Sequence, residues 1–151
     1  MSITPKSAQP DKALSAARYS LQIDGVEIAA FPELSGISSE VLPAELESTG
    51  REAGTRRLPG KAKPATLVLK RGKNSSLELW NWQALAISGD PGAARNGSLV
   101  MYATDGTPVA RYHLEHAWPS KLEIGAVKAG AGEVLMETVT IVCERLQRVS
   151  V

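Results

Sequence analysis

The sequence predicts a mainly β fold, either a small barrel or two packed antiparallel sheets, with one α-helix at about 75–88. Three observations predict it. Apolar and polar residues alternate in short runs along most of the chain, as they do over Tyr19–Asp24. Asp-Gly pairs at 24–25 and 105–106 interrupt such runs, as tight hairpin turns do. Helical spacing of apolar residues is convincing in one stretch alone, the segment 75–88.

The composition indicates a single domain that folds in the cytosol. A chain of 151 residues is long enough to bury its own hydrophobic core. Its single cysteine, Cys143, has no internal disulfide partner. The sequence shows neither a secretion signal nor an apolar run long enough to anchor it in a membrane. The formal net charge of +1 gives no overall attraction to nucleic acid or lipid.

The first part of the chain predicts a flexible arm followed by strands. Residues 1–17 have no periodicity and are predicted to form an N-terminal arm, and 18–151 a single domain. The domain begins with a hairpin that turns at Asp24-Gly25. Ile37–Ser48 predicts a longer strand. Because Pro43 has no N–H, this strand is an edge, is bulged, or pairs on one side only.

A long loop is predicted over Thr49–Lys63, where neither strand nor helix spacing occurs. Four acids and no base lie between Phe31 and Gly50, whereas eight bases and a single acid lie between Arg51 and Lys73. Loops of this length in compact domains are usually functional or disordered, and we favour a functional role here. An acidic and a basic segment in succession are compatible with contacts between copies, and like charge on one loop favours an external partner.

The predicted helix has two apolar stripes. Ser75 and Glu78 have the spacing of a capping box, and Gly89 follows the end of the helix. One stripe is predicted to face the core: Leu77, Trp80, Ala84 and Ile87. The other carries Leu79 and Trp82, on the side where a monomeric protein would place polar residues. We therefore expect Leu79 and Trp82 to lie at an interface.

The second half of the chain predicts two further hairpins. Ser98–Thr104 and Thr107–Leu114 flank Asp105-Gly106, which has the sequence of a type I′ turn. Lys121–Lys128 and Glu133–Leu146 flank a Gly-rich turn. Seven or eight strands and one helix result, which is the content expected of a small barrel or of two packed sheets.

Candidate catalytic and metal-binding residues are weak. His113 and His116 are three apart and point to opposite faces of a strand unless the chain bends between them. Cys143 lies among apolar residues, where thiols are usually inert. Gly54–Lys61 differs from a phosphate-binding loop in spacing, and Ala62 replaces the required hydroxyl. We predict no catalytic residue, no metal, no cofactor and no enzymatic activity.

The basic segment 51–73 is the main feature that favours nucleic acid. It has no aromatic side chain on which a base would stack. The predicted helix carries no Lys or Arg with which to enter a major groove. We therefore expect no sequence-specific binding to nucleic acid.

A series of motifs occurs in a definite order along the chain: Ser35-Gly36-Ile37, Leu58-Pro59-Gly60-Lys61, Lys70-Arg71-Gly72, Leu77 with Trp80, Ala117-Trp118-Pro119 with Lys121, and Glu133-Val134 with Glu137, Thr138 and Ile141. This series resembles the contractile-tail tube proteins, which form the inner tubes of contractile phage tails and of phage-tail-like injection systems. The resemblance covers about 19–148, and Ala-Trp-Pro-x-Lys is its most specific part.

The resemblance implies a subunit made in the bacterial cytoplasm that forms hexameric rings, which stack into a hollow conduit for DNA or effectors. The implied partners are other copies, a sheath, a baseplate and a terminator, with cargo in the lumen. Contacts between subunits or rings are expected from the loop: Arg51, Glu52, Arg56, Arg57, Lys61 and Lys63. Lumen-lining residues are expected to be Glu45, Glu47, Thr138 and Thr140.

An alternative from a different class is a stand-alone β-barrel module that binds a sugar or peptide. In that interpretation Trp118 and Trp82 would contact the ligand. The module would be monomeric, and Thr49–Lys63 would lie near the bound ligand.

Overall fold

The computed structural model describes residues 13–24, 26–48, 54–125, 130, 132 and 134–151. Within these ranges the chain forms ten strands, one α-helix and a 3-10 helix at Pro91–Ala93. The strands are β1 (Arg18–Ile23), β2 (Val26–Phe31), β3 (Glu33–Ser38), β4 (Val41–Ser48), β5 (Gly54–Ala62), β6 (Ala65–Gly72), β7 (Arg95–Tyr102), β8 (Pro108–Ile124), β9 (Met136–Cys143) and β10 (Arg145–Val149). The helix is α1 (Glu78–Ile87).

Eight strands form one folded antiparallel sheet, and the other two form a separate hairpin. The order across the large sheet is β2-β1-β7-β8-β9-β6-β3, and β10 pairs with β8 beside this path. Within the described residues the path is open, with β2 and β3 at its edges. The structure therefore confirms the mainly β fold with one helix, in its form of two packed layers.

β8 joins the two layers. Its first part pairs with β7 and β10, and its second part pairs with β9 from Trp118 onward. Between them, His116 has φ +50° and its N–H donates to Asn96 Oδ1 at 3.0 Å. The segment that connects β9 to β10 turns at the same level, where the Glu144 N–H donates to the Glu115 carbonyl at 2.9 Å. β8 and the adjoining β9–β10 segment therefore bend together, and the two layers come to face each other.

The core lies between the layers. In β6 and β9 every second residue is buried, as expected of strands with one covered face. Both layers and the helix supply the large buried side chains: Leu21, Phe31, Leu67, Leu69, Leu79, Trp82, Leu99, Leu114, Val139 and Ile141. Cys143 is buried among them.

The two stripes of α1 are placed opposite to the sequence prediction. Leu79 and Trp82 are buried, at 0% and 2% exposure, so the prediction that they lie at an interface was wrong. The predicted core stripe is largely exposed instead, with Leu77 at 65% and Ile87 at 79%. The Trp82 indole N–H donates to the Ala93 carbonyl at 2.7 Å, which satisfies its polar atom inside the core.

The helix also begins later than predicted. It starts at Glu78, after Leu77, and no side chain caps its first turn at Leu77. Ser76 Oγ accepts a long bond from the Glu78 N–H, at 3.5 Å. The predicted capping box of Ser75 and Glu78 is therefore absent.

Both predicted hairpin turns join the strands that they were predicted to join, but the second is not of type I′. Ile23 and Val26 are paired, and Asp24 has φ +51°, the sign that a type I′ turn requires at its first central residue; Gly25 lies outside the described residues. At the second turn, Gly106 has φ +87° but Asp105 does not have a positive φ. The Asp105 carboxylate accepts from the Thr107 N–H at 2.9 Å, a bond that lowers the pKa of Asp105. The loop widens to 103–107, closed by the Ala103 N–H donating to the Thr107 carbonyl.

Several predicted strand boundaries also differ. The two strands expected at Thr107–Leu114 and Lys121–Lys128 are parts of one strand, β8, which runs from Pro108 to Ile124 because the chain bends at His116 and does not stop. Residues 126–128 of the second expected strand lie outside the described residues. The strand expected at Ile37–Ser48 divides between β3 and β4. Residues 54–62, expected in an irregular loop, form β5.

A buried ion pair holds the helix to the sheet. Arg71 Nε on β6 lies 3.2 Å from Glu137 Oε2 on β9, and the two side chains are 5% and 2% exposed. The Trp80 indole N–H donates to Glu137 Oε1 at 2.7 Å. The Arg71 guanidinium also lies over the Phe31 ring, 5.4 Å from its centroid. Four elements therefore converge on Glu137 and Arg71.

We predict that Glu137→Leu lowers the free energy of unfolding by about 3–5 kcal/mol, because it leaves the Arg71 charge buried without a partner. Urea unfolding of dilute protein measures the change. The double variant Arg71→Met/Glu137→Leu is the control, since it removes both charges, and we expect it to recover most of the loss. A single variant as stable as the original chain would contradict this account.

Candidate assembly interface

β4 and β5 form a hairpin that projects from the folded layers, which we call the projecting hairpin. Its strands pair from Val41↔Ala62 at the root to Ser48↔Gly54 near the tip. All residues of β5 are exposed, and so are residues 41–47 of β4. Eight residues of strand span roughly 26 Å at the usual rise of about 3.3 Å per residue. The hairpin therefore extends well beyond the core that would otherwise support it.

The projecting hairpin is amphipathic. The register pairs Glu45 with Arg57 and Glu47 with Thr55, which gives one face a charged and polar character. The opposite face carries Leu42, Ala44, Leu46 and Leu58, with Arg56 opposite Leu46 towards the tip. The three leucines are 38%, 54% and 45% exposed, in chain order. This apolar face has no covering layer within the described residues.

Two features weaken the projecting hairpin when it is surrounded by solvent alone. A two-stranded hairpin is at best marginally stable in water without a surface to pack on. In addition, Pro43 and Pro59 are paired, and neither has an N–H to donate across the ladder. The amphipathic face and the weak ladder both indicate that the hairpin is stabilised by contact with another molecule.

The structure distributes the predicted loop residues over different environments. Arg56 lies on the apolar face, whereas Arg57 faces Glu45 on the charged one. Lys63 is at the root, where its Nζ lies 3.4 Å from Glu40 Oε2. Lys61 is exposed on β5. Arg51 and Glu52 lie outside the described residues.

The residues predicted to line a lumen occupy two separate surfaces. Thr138 and Thr140 are half-buried on the outer face of β9, next to Lys70 and Val68 of β6. Glu45 and Glu47 lie on the charged face of the projecting hairpin. The two threonines therefore lie close together, and so do the two glutamates, but the two pairs are in different parts of the molecule.

Sequence analysis missed a concave surface around Trp118, which we call the Trp118 saddle. Two depressions, of about 230 and 280 Å³, share Trp118 and Ala94. The first is also lined by Ala86, Gly89, Asp90, Pro91 and Ala93, and the second by Pro64, His116, Val142, Cys143 and Glu144. Trp118 is 38% exposed, which is unusual for so large an apolar side chain. The signal for this site was the motif Ala117-Trp118-Pro119 at a strand junction.

The described residues give no structural support to a chemical site. No three His, Cys, Asp or Glu side chains among them cluster as metal ligands would. His116 Nδ1 lies 3.4 Å from Glu144 Oε2, and both side chains are exposed. Burial raises the pKa of the Cys143 thiol to about 11, so the reactive thiolate is scarce at neutral pH. Within the described ranges, no helix has the length and apolar content needed to cross a membrane.

A comparison with protein-family models identifies the family of this chain. The model described as T4-like virus tail tube protein gp19 matches residues 15–147. The chain belongs to this tail tube family. The match spans both layers, the helix and the projecting hairpin, and it confirms the resemblance drawn from the motifs.

Solved structures share the fold. A chain from the sheath-tube complex of an extracellular contractile injection system, PVC, in its extended state is 16% identical with a TM-score of 0.76, and 99% of this chain and 100% of that chain are covered. A chain from the tube-terminating cap of the anti-feeding prophage, AFP, is 17% identical with a TM-score of 0.73, and 100% of each chain is covered. A chain from the sixfold-symmetrised AFP baseplate is 20% identical with a TM-score of 0.68, and 92% of this chain and 96% of that chain are covered. No curated protein sequence matches significantly.

The raised pKa of Cys143 predicts a specific pH dependence. Its pKa in the folded chain lies above the ordinary value of 9.0. The contribution of the protonated Cys143 thiol to the free energy of unfolding is therefore fully present below about pH 9, and it is lost as the pH rises towards 11. We expect the difference in unfolding free energy between the original chain and Cys143→Ala to shrink over this interval. Urea titrations at successive pH values measure it, and a constant difference would contradict the prediction.

Proposed function

We propose that this chain is the inner-tube subunit of a contractile tail or injection system, and that six copies form a ring whose stacking makes a hollow conduit. The observation that carries the proposal is the uncovered apolar face of the projecting hairpin. Membership of the tail tube family supplies the setting in which such a face is covered, since a tube subunit is surrounded by other copies. In a ring the contact is head-to-tail, so the hairpin of each copy packs on the next copy.

The exposed stripe of α1 supports a second covered surface. Leu77, next to the start of the helix, and Ile87 are largely exposed, and Trp80 is 36% exposed although its indole N–H is bonded to Glu137. An apolar helical face of this kind is typical of a protein–protein contact. We place this surface on the outside of the tube, where it is open in tubes of this chain alone and available to a surrounding sheath. One structurally similar chain comes from a sheath-tube complex, and we propose sheath, baseplate and terminator proteins as partners.

The outer face of the β9 and β6 layer is our candidate for the lumen wall. Across it run Glu123, Thr138 and Lys70, which are aligned by register on β8, β9 and β6. Lys121, Thr140 and Val68 form the adjacent row. A flat, polar face of mixed charge suits a channel through which cargo slides without binding tightly. Glu45 and Glu47 belong to this proposal only where the projecting hairpin borders the channel.

A structural role requires no catalytic group, and we propose none. The alternative of a monomeric ligand-binding module is less well supported. Trp82, one of its two expected contact residues, is 2% exposed and has its indole N–H bonded within the core. Trp118 alone remains exposed enough to meet a ligand.

Assembly tests the proposal through one matched pair of variants. Leu46→Gln alters the apolar face of the projecting hairpin, and Thr55→Gln alters the charged face near the same level. Burying a leucine contributes about 1.5–3 kcal/mol. We therefore expect Leu46→Gln to raise the concentration needed for rings or tubes about tenfold or more. Negative-stain electron microscopy across a concentration series measures it.

Thr55→Gln is the control and should assemble as the original chain does. Equal assembly by both variants would remove the apolar face from the account. Small monodisperse particles of the original chain at every concentration, including after addition of a nucleating baseplate, would contradict the proposed function itself.

The lumen assignment predicts protection from large reagents. Thr138→Cys is placed on the proposed channel wall, and Ile87→Cys on the exposed face of α1. In assembled tubes, a maleimide attached to a bulky polymer should label Ile87→Cys rapidly and Thr138→Cys far more slowly. Both should react alike with a small maleimide at the open surface of dissociated subunits. Rapid labelling of Thr138→Cys by the bulky reagent in intact tubes would exclude this face from the lumen.

A further inference from the structure

We propose that the apolar face of the projecting hairpin seats in the Trp118 saddle of a second copy of this chain. The inference rests on the proposed function, because it names the surface that receives the hairpin in the ring. Three properties of the two surfaces carry it: their charge, their shape and their positions in the fold.

The charges of the two surfaces are complementary. The saddle is lined by two carboxylates, Asp90 and Glu144, and by no Lys or Arg. On the projecting hairpin, Arg56 lies within the apolar face itself. Neither Arg56 nor Lys61 forms an ion pair within the described residues, in contrast to Lys63 at the root. Arg56, entering a concave surface that is lined by two carboxylates, gains electrostatic complementarity, which fixes orientation and partner.

The shapes also correspond. Each of the two depressions offers an apolar floor of alanine, proline or valine beside the ring of Trp118. Leu46 and Leu58 project from the same face of the hairpin, one on each strand. Two leucine side chains therefore match two adjoining depressions. Tryptophans at the centre of such contacts frequently dominate the binding energy.

The position of the saddle explains why the contact is between copies. Pro64, which connects the root of the projecting hairpin to β6, lines one of the depressions. The hairpin extends from this root for roughly 26 Å, at about 3.3 Å per residue. Among the described residues, none of β4 or β5 lines the saddle of its own copy, so the leucines are available to a neighbour. A head-to-tail contact of this kind forms a ring when the rotation between copies closes.

A competing seat is less suitable. We define the competing surface by the exposed apolar residues Leu77, Val134 and Leu135, the last two of which directly precede β9 at the end opposite to the saddle. Lys73, whose N–H donates to the Leu135 carbonyl, places a base beside it. That charge has the same sign as Arg56 and opposes docking of the hairpin. The acidic lining of the Trp118 saddle distinguishes it from this surface.

Complementing variants test the inference. Leu58→Asp damages the hairpin and leaves the saddle intact, whereas Ala94→Arg obstructs both depressions and leaves the hairpin intact. We expect neither variant to assemble alone. Mixed together, they should form a one-to-one complex of twice the 16.0 kDa mass of the chain, because one good contact remains and cannot propagate. Native mass spectrometry measures it. Ala84→Arg, the same change on the exposed face of α1, is the control for Ala94→Arg.

Two results would overturn the inference while leaving the proposed function in place: tubes formed by Ala94→Arg as readily as by the original chain, or mixtures in which both folded variants remain monomers. A monomeric original chain would overturn both.

Crosslinking tests the same contact without the charged variants, so its result does not depend on whether those variants fold. In a Cys143→Ser background, Leu46→Cys should form a disulfide with Ala94→Cys of another copy. A preference of Leu46→Cys for Leu77→Cys would place the hairpin on the competing surface.

Discussion

The shared bend of β8 and its neighbour is the constraint on which the rest of the fold depends. β8 pairs with strands of both layers, so its direction determines how they face each other. The bend at His116 is accompanied by the turn at Glu144, and hydrogen bonds from the backbone N–H groups of both residues hold it. Because the layers close over Leu114, Ile141 and the helix, one core serves the whole molecule. The same bend places Trp118 at the surface, between the 3-10 helix and the end of β9.

That core does not extend to the projecting hairpin. The chain leaves the sheet after β3, forms β4 and β5 outside the layers, and returns at β6. The apolar side chains of the hairpin are buried only when another surface is supplied, which links the stability of this segment to association. Assembly in this account is therefore part of the folding of the chain.

The sequence predicted the parts that depend on local chemistry. Alternation and the Asp24 turn gave the hairpins and the two-layer fold, and ordered motifs gave the family. The prediction of which helix face is buried was wrong because both stripes are apolar. Position around the helix alone does not determine whether the stripe of Leu79 or the stripe of Leu77 faces the core. β5 was missed because Pro59 and Gly60 interrupt its pattern, and its pairing with β4 is set by register. The Trp118 saddle is formed by segments that are distant in sequence, so the motif around Trp118 indicates one of its residues but not the surface.

The most direct test of the central claim is a cryo-electron microscopy reconstruction of tubes assembled from the purified chain. The account predicts six copies in each ring, with the β4–β5 hairpin of every copy packed against the adjacent one and its leucines covered. Rings held together by other surfaces, with the hairpins extending into solvent, would contradict it.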